Sequence, residues 1–183
     1  MKKDTIVQFV CFITNLELEE FEPKWENYAQ RLTNKKTEPS LQQLVKGNKN
    51  KYRYISQHEW PDQDFQFSFM DERRSEHFPE HNVRVVQPGG YVISGVEKRH
   101  PIKDNDVKLI AFISHNETDV EFYSNLSLYH HLNIYQAFYE SCTYGFVMEF
   151  FVPEKNADEL AILLNQRPGV ETGIYRECFV PHA

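Results

Sequence analysis

The side chains best placed to do chemistry in this sequence lie on its strand patterns rather than in any compact motif. Arg53, Gln57 and Glu59 alternate along one apolar run and so share a strand face; Gln136 and Glu140 share a face of another, and Glu149 lies on the run paired with it. A charged group on a central strand must be solvated, paired or functional, because burying it alone is costly. His58-Glu59-Trp60 ends a strand beside a turn, where side chains line the mouth of a cavity and an imidazole exchanges protons near neutral pH. Tyr139 and Glu140 stand near the corresponding strand end of the second half, so the two sets are expected to flank a pseudo-symmetric pocket. With Tyr28 on a neighbouring helix stripe, the predicted ligand-binding set is Tyr28, Arg53, His58, Trp60, Tyr139, Glu140 and Glu149, and no residue is assigned as catalytic.

Other constellations fall short of a site. His77 and His81 have the spacing at which a helix offers two imidazoles to a metal, but Pro79 lies between them and no carboxylate and histidine set completes a pattern. His130 and His131 are adjacent and would point apart on a helix. Cys11, Cys142 and Cys178 fall on strands, where a free thiol acts as a small hydrophobe. Gly89-Gly90 stands without the glycine spacing that wraps a pyrophosphate, and neither a P-loop nor a Gly-x-Ser-x-Gly elbow occurs. The expectation is no metal and no cofactor.

The formal charge is −7, with acidic and basic residues interleaved, so no broad positive field is present to neutralise phosphates. The basic stretches 46–53 and 98–103 are short and read as solvated loops flanking strands. Nucleic acid is therefore not expected as a partner. No window approaches the roughly 20 apolar residues of a membrane span. Three unpaired cysteines and an N-terminus running straight into a strand pattern point to a reducing, cytoplasmic setting.

These side chains are positioned by elements that repeat. Residues 6–13 read as a strand covered on both faces, and Leu18, Phe21, Trp25, Tyr28 and Leu32 follow at helical spacings of three and four, with Pro23 in the first turn. Leu41, Leu44 and Val45 suggest a short helical turn. Residues 52–60 and 65–70 read as a hairpin across Pro61-Asp62-Gln63-Asp64, Phe65, Phe67 and Phe69 alternating with polar residues. Residues 75–80 allow a short helix, and 82–87 and 91–94 a strand broken by Pro88-Gly89-Gly90. After a charged linker at 97–106, the order recurs: Ile110-Ala111-Phe112-Ile113-Ser114 matches Val10-Cys11-Phe12-Ile13-Thr14 in size and polarity, position for position. Then come a helical stripe at Phe122, Leu126 and Tyr129, strands at 134–141 and 145–152, a helix at 156–166 capped by Asn156 with Leu160, Leu163 and Leu164 facing a sheet, and a closing strand at 172–179.

Each half thus reads β-α-β-β-α-β. This order resembles the ferredoxin-like fold, and two such halves in one chain resemble the α+β barrel superfamily that includes the antibiotic-biosynthesis monooxygenase-like proteins. The string Phe21, Trp25, Tyr28, Leu32 after the first strand is similar to the pattern in small members of that group. The expected fold is α+β, two tandem ferredoxin-like halves at 1–96 and 107–183 whose antiparallel sheets form a barrel-like core. The resemblance implies an interior able to hold a small hydrophobic or aromatic ligand. A small-molecule-binding barrel is accordingly the first expected function. A cofactor-independent monooxygenase using the His58–Trp60 region with Tyr28 or Tyr139 is the enzyme alternative, and a non-catalytic structural or interaction protein the third. A homodimer is expected from the habit of the superfamily.

Overall fold

The computed structural model describes residues 5–32, 39–47, 51–64, 66, 78 and 81–179. Within them the elements run β1 (Ile6–Ile13), α1 (Leu18–Leu32), β2 (Ser40–Gly47), β3 (Tyr54–Trp60), β4 (Arg84–Lys98), β5 (Asp106–Ile113), α2 (Val120–Ser124), β6 (His131–Ala137), β7 (Phe146–Pro153), α3 (Glu154–Asn165) and β8 (Val170–Phe179). All eight strands close into one antiparallel barrel, ordered β1-β3-β2-β8-β5-β7-β6-β4.

The order β4-β1-β3-β2 in the first half recurs as β8-β5-β7-β6 in the second, which is the strand order of two ferredoxin-like sheets. β1 and β5 are central in their sheets, and their near-continuous apolar sequences are buried on both faces. Two seams join the sheets. β2 pairs with β8 from Leu41↔Phe179 to Gly47↔Gly173, and β4 with β6 from Tyr91↔Ala137 to Lys98↔His131. Both seams, and the β1–β4 pairing, contain register shifts, the extra residues that bend a sheet toward closure.

Strand alternation sorts the core into layers. One cluster takes side chains from all eight strands, among them Phe9, Leu44, Ile55, Tyr91, Phe112, Tyr135, Val147 and Tyr175, and is therefore the inside of the barrel. The opposite face of the first sheet packs Val10, Phe12, Leu41 and Tyr54 under Phe21, Trp25 and Tyr28 of α1. The opposite face of the second packs Leu109, Ala111, Met148 and Phe150 under Leu160, Ala161 and Leu164 of α3. Among the described residues no helix is long and apolar enough to cross a membrane.

Several expected elements differ. Residues 41–45 belong to β2, a seam strand rather than a helical turn. Residues 63, 64 and 66 are helical where the hairpin was expected to turn and begin its second strand; residues 65 and 67–70, like the expected helix at 75–80 apart from Phe78, lie outside the described residues. Pro23 falls in the second turn of α1, not the first. Pro88-Gly89-Gly90 does not break its strand but is absorbed into the 15-residue β4, Gly89 taking φ +134° where a Cβ would lie 2.5 Å from Cys142 Sγ. β4 runs on to Lys98, so the connection to β5 is residues 99–105. α2 has only five residues, and Tyr129 is buried beyond its end. α3 is preceded by Pro153, and Asn156 inside it donates instead to the Leu128 carbonyl at 3.5 Å. One chain supplies both sheets and both seams, so closure of the barrel needs no second copy.

Phe9 lies at the centre of the barrel, its ring 5.7 Å from Tyr91 and 5.3 Å from Tyr135 in edge-to-face contacts. Phe9→Ala is expected to cost about 3–5 kcal/mol of stability by urea denaturation, as for other large core truncations. A loss below about 1 kcal/mol would show a loosely filled interior.

Candidate functional site at the mouth of the barrel

The inner face of the barrel changes character along its length. Around its middle, aromatic rings fill it: Phe9 against Tyr91 and Tyr135, and Phe112 against Tyr52 and Tyr144, with centroids 5.3 and 4.9 Å apart. The Tyr52 and Tyr144 hydroxyls share a hydrogen bond at 2.8 Å. Burial pushes the phenol pKa values of Tyr91, Tyr135 and Tyr144 upward, so all three remain neutral donors.

Toward one mouth the inner face becomes polar. Glu149 of β7 is 2% exposed and ionised. Burial raises its pKa, but the Lys108 ammonium, Asn133 and Tyr135 outweigh that effect and hold the carboxyl below its ordinary value. Lys108 Nζ lies 3.2 Å from Oε1, while Asn133 Nδ2 and the Tyr135 hydroxyl donate to Oε2 at 2.9 and 3.2 Å. Oε1 has no well-directed hydrogen bond, so its contact with Lys108 is an ion pair set by charge more than by angle. The network continues through Gln57, which donates to the Tyr135 oxygen at 3.2 Å, and Gln42, which donates to Gln57 at 3.4 Å. Residues of five strands, β2, β3, β5, β6 and β7, thus join one network around a buried carboxylate.

Two adjoining clefts open beside this girdle. One, of about 550 Å³, includes Lys108, Phe151, Tyr175 and Glu177 on its barrel side and Ile102, Lys103 and Asp106 on the β4–β5 connection. The other, of about 490 Å³, is lined by Lys98, Arg99, His100, Pro101, Ile102 and His131, a set without a carboxylate. The connection is pinned to β6: the Arg99 and His100 amides both donate to the His130 carbonyl, at 2.9 and 3.0 Å, and His130 Nδ1 donates to Asp106 at 2.8 Å. Arg99 stacks on Tyr129 at 4.8 Å and lies 3.9 Å from Glu97, whereas Lys98 and Lys103 are exposed and have no ion pair among the described residues. His131 Nε2 donates to Asn133 Oδ1 at 2.8 Å, linking the cation-lined cleft to Glu149, and its ring meets Phe151 edge-on at 5.4 Å. Phe151 is also 5.4 Å from the Lys108 ammonium.

The sequence-predicted residues do not gather here. Glu149 is in the girdle. Tyr28 packs outside the barrel against Phe12 and Phe78. Arg53, just before β3, pairs with Glu17 at 2.6 Å. His58 and Trp60 lie on the face of β3 opposite the barrel interior: His58 is buried with Nε2 2.8 Å from Ser56 Oγ, and Trp60 Nε1 donates to Gln8 at 3.1 Å. Tyr139 donates to Gln66 at 3.2 Å, and Glu140 is exposed beyond the end of β6. Of the expected set, only Glu149 thus lies in the girdle. The sequence reading missed Lys108, Asn133, Tyr135 and His131. Their signal was present, since Lys108 and Asn133 interrupt apolar strand runs at positions that face inward. Among the described residues no group of three or more His, Cys, Asp or Glu could hold a metal ion.

No protein-family model matches the chain, and no curated protein matches it. Among solved structures it is similar to the first two RRM domains of yeast poly(U) binding protein, with 13% identity and a TM-score of 0.32, over 94% of this chain and 99% of that one. That score transfers no activity. The expectation of a small hydrophobic or aromatic ligand, with nucleic acid excluded, nevertheless needs correction. The described interior that was to hold the ligand is occupied by Phe9, Tyr91, Phe112 and Tyr135. The 98–103 stretch, read as a plain solvated loop, forms the wall of a cleft. His58 and Trp60, on which the monooxygenase alternative drew, face away from the barrel interior, and closure of the barrel pairs both edges of every strand.

Two consequences are measurable. Burial lowers the His58 pKa to about 4, so the imidazole is neutral when folded and stability is lost as pH falls from about 6.5 toward 4. Between pH 7 and 4.5 the wild type should lose about 2–3 kcal/mol more than His58→Gln in urea titrations; equal losses would place His58 in contact with water. Lys108→Met should cost about 3–5 kcal/mol at pH 7 by stranding the Glu149 charge, and less at pH 4.5, where the carboxyl takes up a proton. A cost independent of pH would mean that the charge pairing is not what Lys108 contributes.

Proposed function

We propose that this protein binds single-stranded nucleic acid along the β4–β5 connection at the barrel mouth. The observation that carries the reading is the cleft lined by Lys98, Arg99, His100, Pro101, Ile102 and His131, with Lys103 and the Phe151 ring adjoining. Cations beside flat rings are the combination such ligands require, phosphates meeting the charges and bases meeting the ring faces. That lining contains no carboxylate although the chain has an overall charge of −7 and Glu97 lies 3.9 Å from Arg99, so a bound phosphate meets the cations directly.

The reading rests on this surface and not on the likeness to tandem RRM domains. An RRM stacks bases on the open face of its sheet, and here that face lies inside a closed barrel. The resemblance to the antibiotic-biosynthesis monooxygenase-like group is retained as a proposal about architecture only, supported by the pairing of two ferredoxin-like halves.

Fluorescence anisotropy with a labelled 12-nucleotide uridine oligomer tests the reading, with a thymidine oligomer and a duplex as comparisons. With about three phosphates neutralised, affinity should fall roughly 20-fold between 50 and 200 mM salt. Lys98→Glu combined with Lys103→Glu should weaken binding at least tenfold. No binding at 50 mM salt, or unchanged binding by the double variant, would contradict it.

A further inference from the structure

The same cleft contains two of the three imidazoles gathered at the mouth, and this suggests how its grip is regulated. His100 and His131 line it beside Lys98 and Arg99, and His130 stands behind them, its ring 5.4 Å from that of His100. The three differ in their surroundings. His130 Nδ1 donates to Asp106, whose side chain is 1% exposed and also accepts from the Lys103 amide at 3.0 Å. His131 has Nε2 committed to Asn133, and Lys98 is its partner across the β4–β6 seam; its other contact is the Phe151 ring. His100 is exposed on the connection, facing the His130 ring. The cleft lining contains no carboxylate; Glu97 lies behind it, accepting from Tyr129 and 3.9 Å from Arg99, Asp106 accepts from His130, and Asp104, Glu154 and Glu177 line the adjoining cleft.

Protonation of His100 or His131 therefore places a new positive charge among cations, with no facing carboxylate to receive it. An anion in the cleft supplies the missing countercharge. By linkage, whatever makes a proton easier to bind in the presence of the anion makes the anion easier to bind when the proton is present. We propose that His100 and His131 form a proton-linked clamp, so that the polyanion is held more tightly at lower pH and protons are taken up on binding. This rests on the nucleic-acid reading of the cleft.

The sign follows from charge. With both imidazoles neutral the lining has the charges of Lys98 and Arg99 alone; with them protonated, up to two more are added, each able to displace a counterion from a phosphate. Every added contact should steepen the logarithmic salt dependence by about 0.7 for a single strand. The His131–Asn133–Glu149 chain of hydrogen bonds holds the His131 ring in place in either state, because Nε2 is a donor in both.

The test is anisotropy with the uridine oligomer at pH 5.5 and pH 8.0, at two salt concentrations, on the wild type and on a His100→Asn, His131→Gln double variant. The wild type should bind at least tenfold more tightly at pH 5.5, with a steeper salt dependence. In the double variant the ratio between the two pH values should fall below about threefold. Circular dichroism of both proteins at both pH values checks that the barrel is intact. A double variant retaining the full wild-type ratio would overturn the clamp, since general loss of carboxylate charge would then explain the pH effect. Wild-type binding that is independent of pH overturns the clamp and leaves the nucleic-acid reading standing. No binding at either pH overturns both.

Discussion

Closure of the two seams is the constraint on which the structure depends. A ferredoxin-like sheet standing alone exposes one apolar face and two edges of unpaired amides and carbonyls, and each half of this chain would be left in that state. Pairing β2 with β8 and β4 with β6 satisfies all four edges and turns both apolar faces inward at once. The aromatic content follows from the same requirement. Rings such as Phe9, Tyr91, Phe112 and Tyr135 fill the width of an eight-stranded barrel with few residues, and the tyrosine hydroxyls find partners at its ends.

Closure also decides where function can reside. With the sheet faces turned inward and the opposite faces covered by α1 and α3, chemistry is displaced to the mouths. At one of them an ionised Glu149 is retained inside because Lys108, Asn133 and Tyr135 compensate its burial. The β4–β5 connection crosses that mouth, and its cations are held outward by backbone bonds to His130 and by the stacking of Arg99 on Tyr129. A chain with an overall negative charge can thus present a cleft lining without a carboxylate, Asp106 being bonded to His130 and Glu97 to Tyr129 beside Arg99.

Much of the architecture was legible in the sequence, and the reasons are specific. β1, β5 and β7 are long apolar runs that no other element explains, and α1 repeats Phe21, Trp25 and Tyr28 at helical spacing. β2 was missed because half of it is exposed and its sequence, with adjacent glutamines and Lys46, has no clean alternation; only its two partners make it a strand. The Phe65, Phe67, Phe69 alternation suggested a hairpin partner for β3, but periodicity cannot report that both edges of β3 are occupied by strands remote in sequence. The same limit governs the site. Alternation correctly places His58 and Trp60 on one face of β3 and Gln57 and Glu59 on the other, with Arg53 before the strand and paired with Glu17, yet it does not say which face lines the barrel. Glu149 was visible as a charge on a core strand. Its partners Lys108, Asn133 and Tyr135 come from other strands and became neighbours only through the register of β5, β6 and β7.

Amide hydrogen exchange, with and without a single-stranded oligonucleotide, tests this account most directly. Closure predicts that β2, β8, β4 and β6 are protected in the free protein as interior strands of a continuous sheet, and that the ligand adds protection at residues 97–103 and 131. Rapid exchange along both seams, or ligand protection centred on β1 and β3, would show an open sheet that binds through its face and would contradict it.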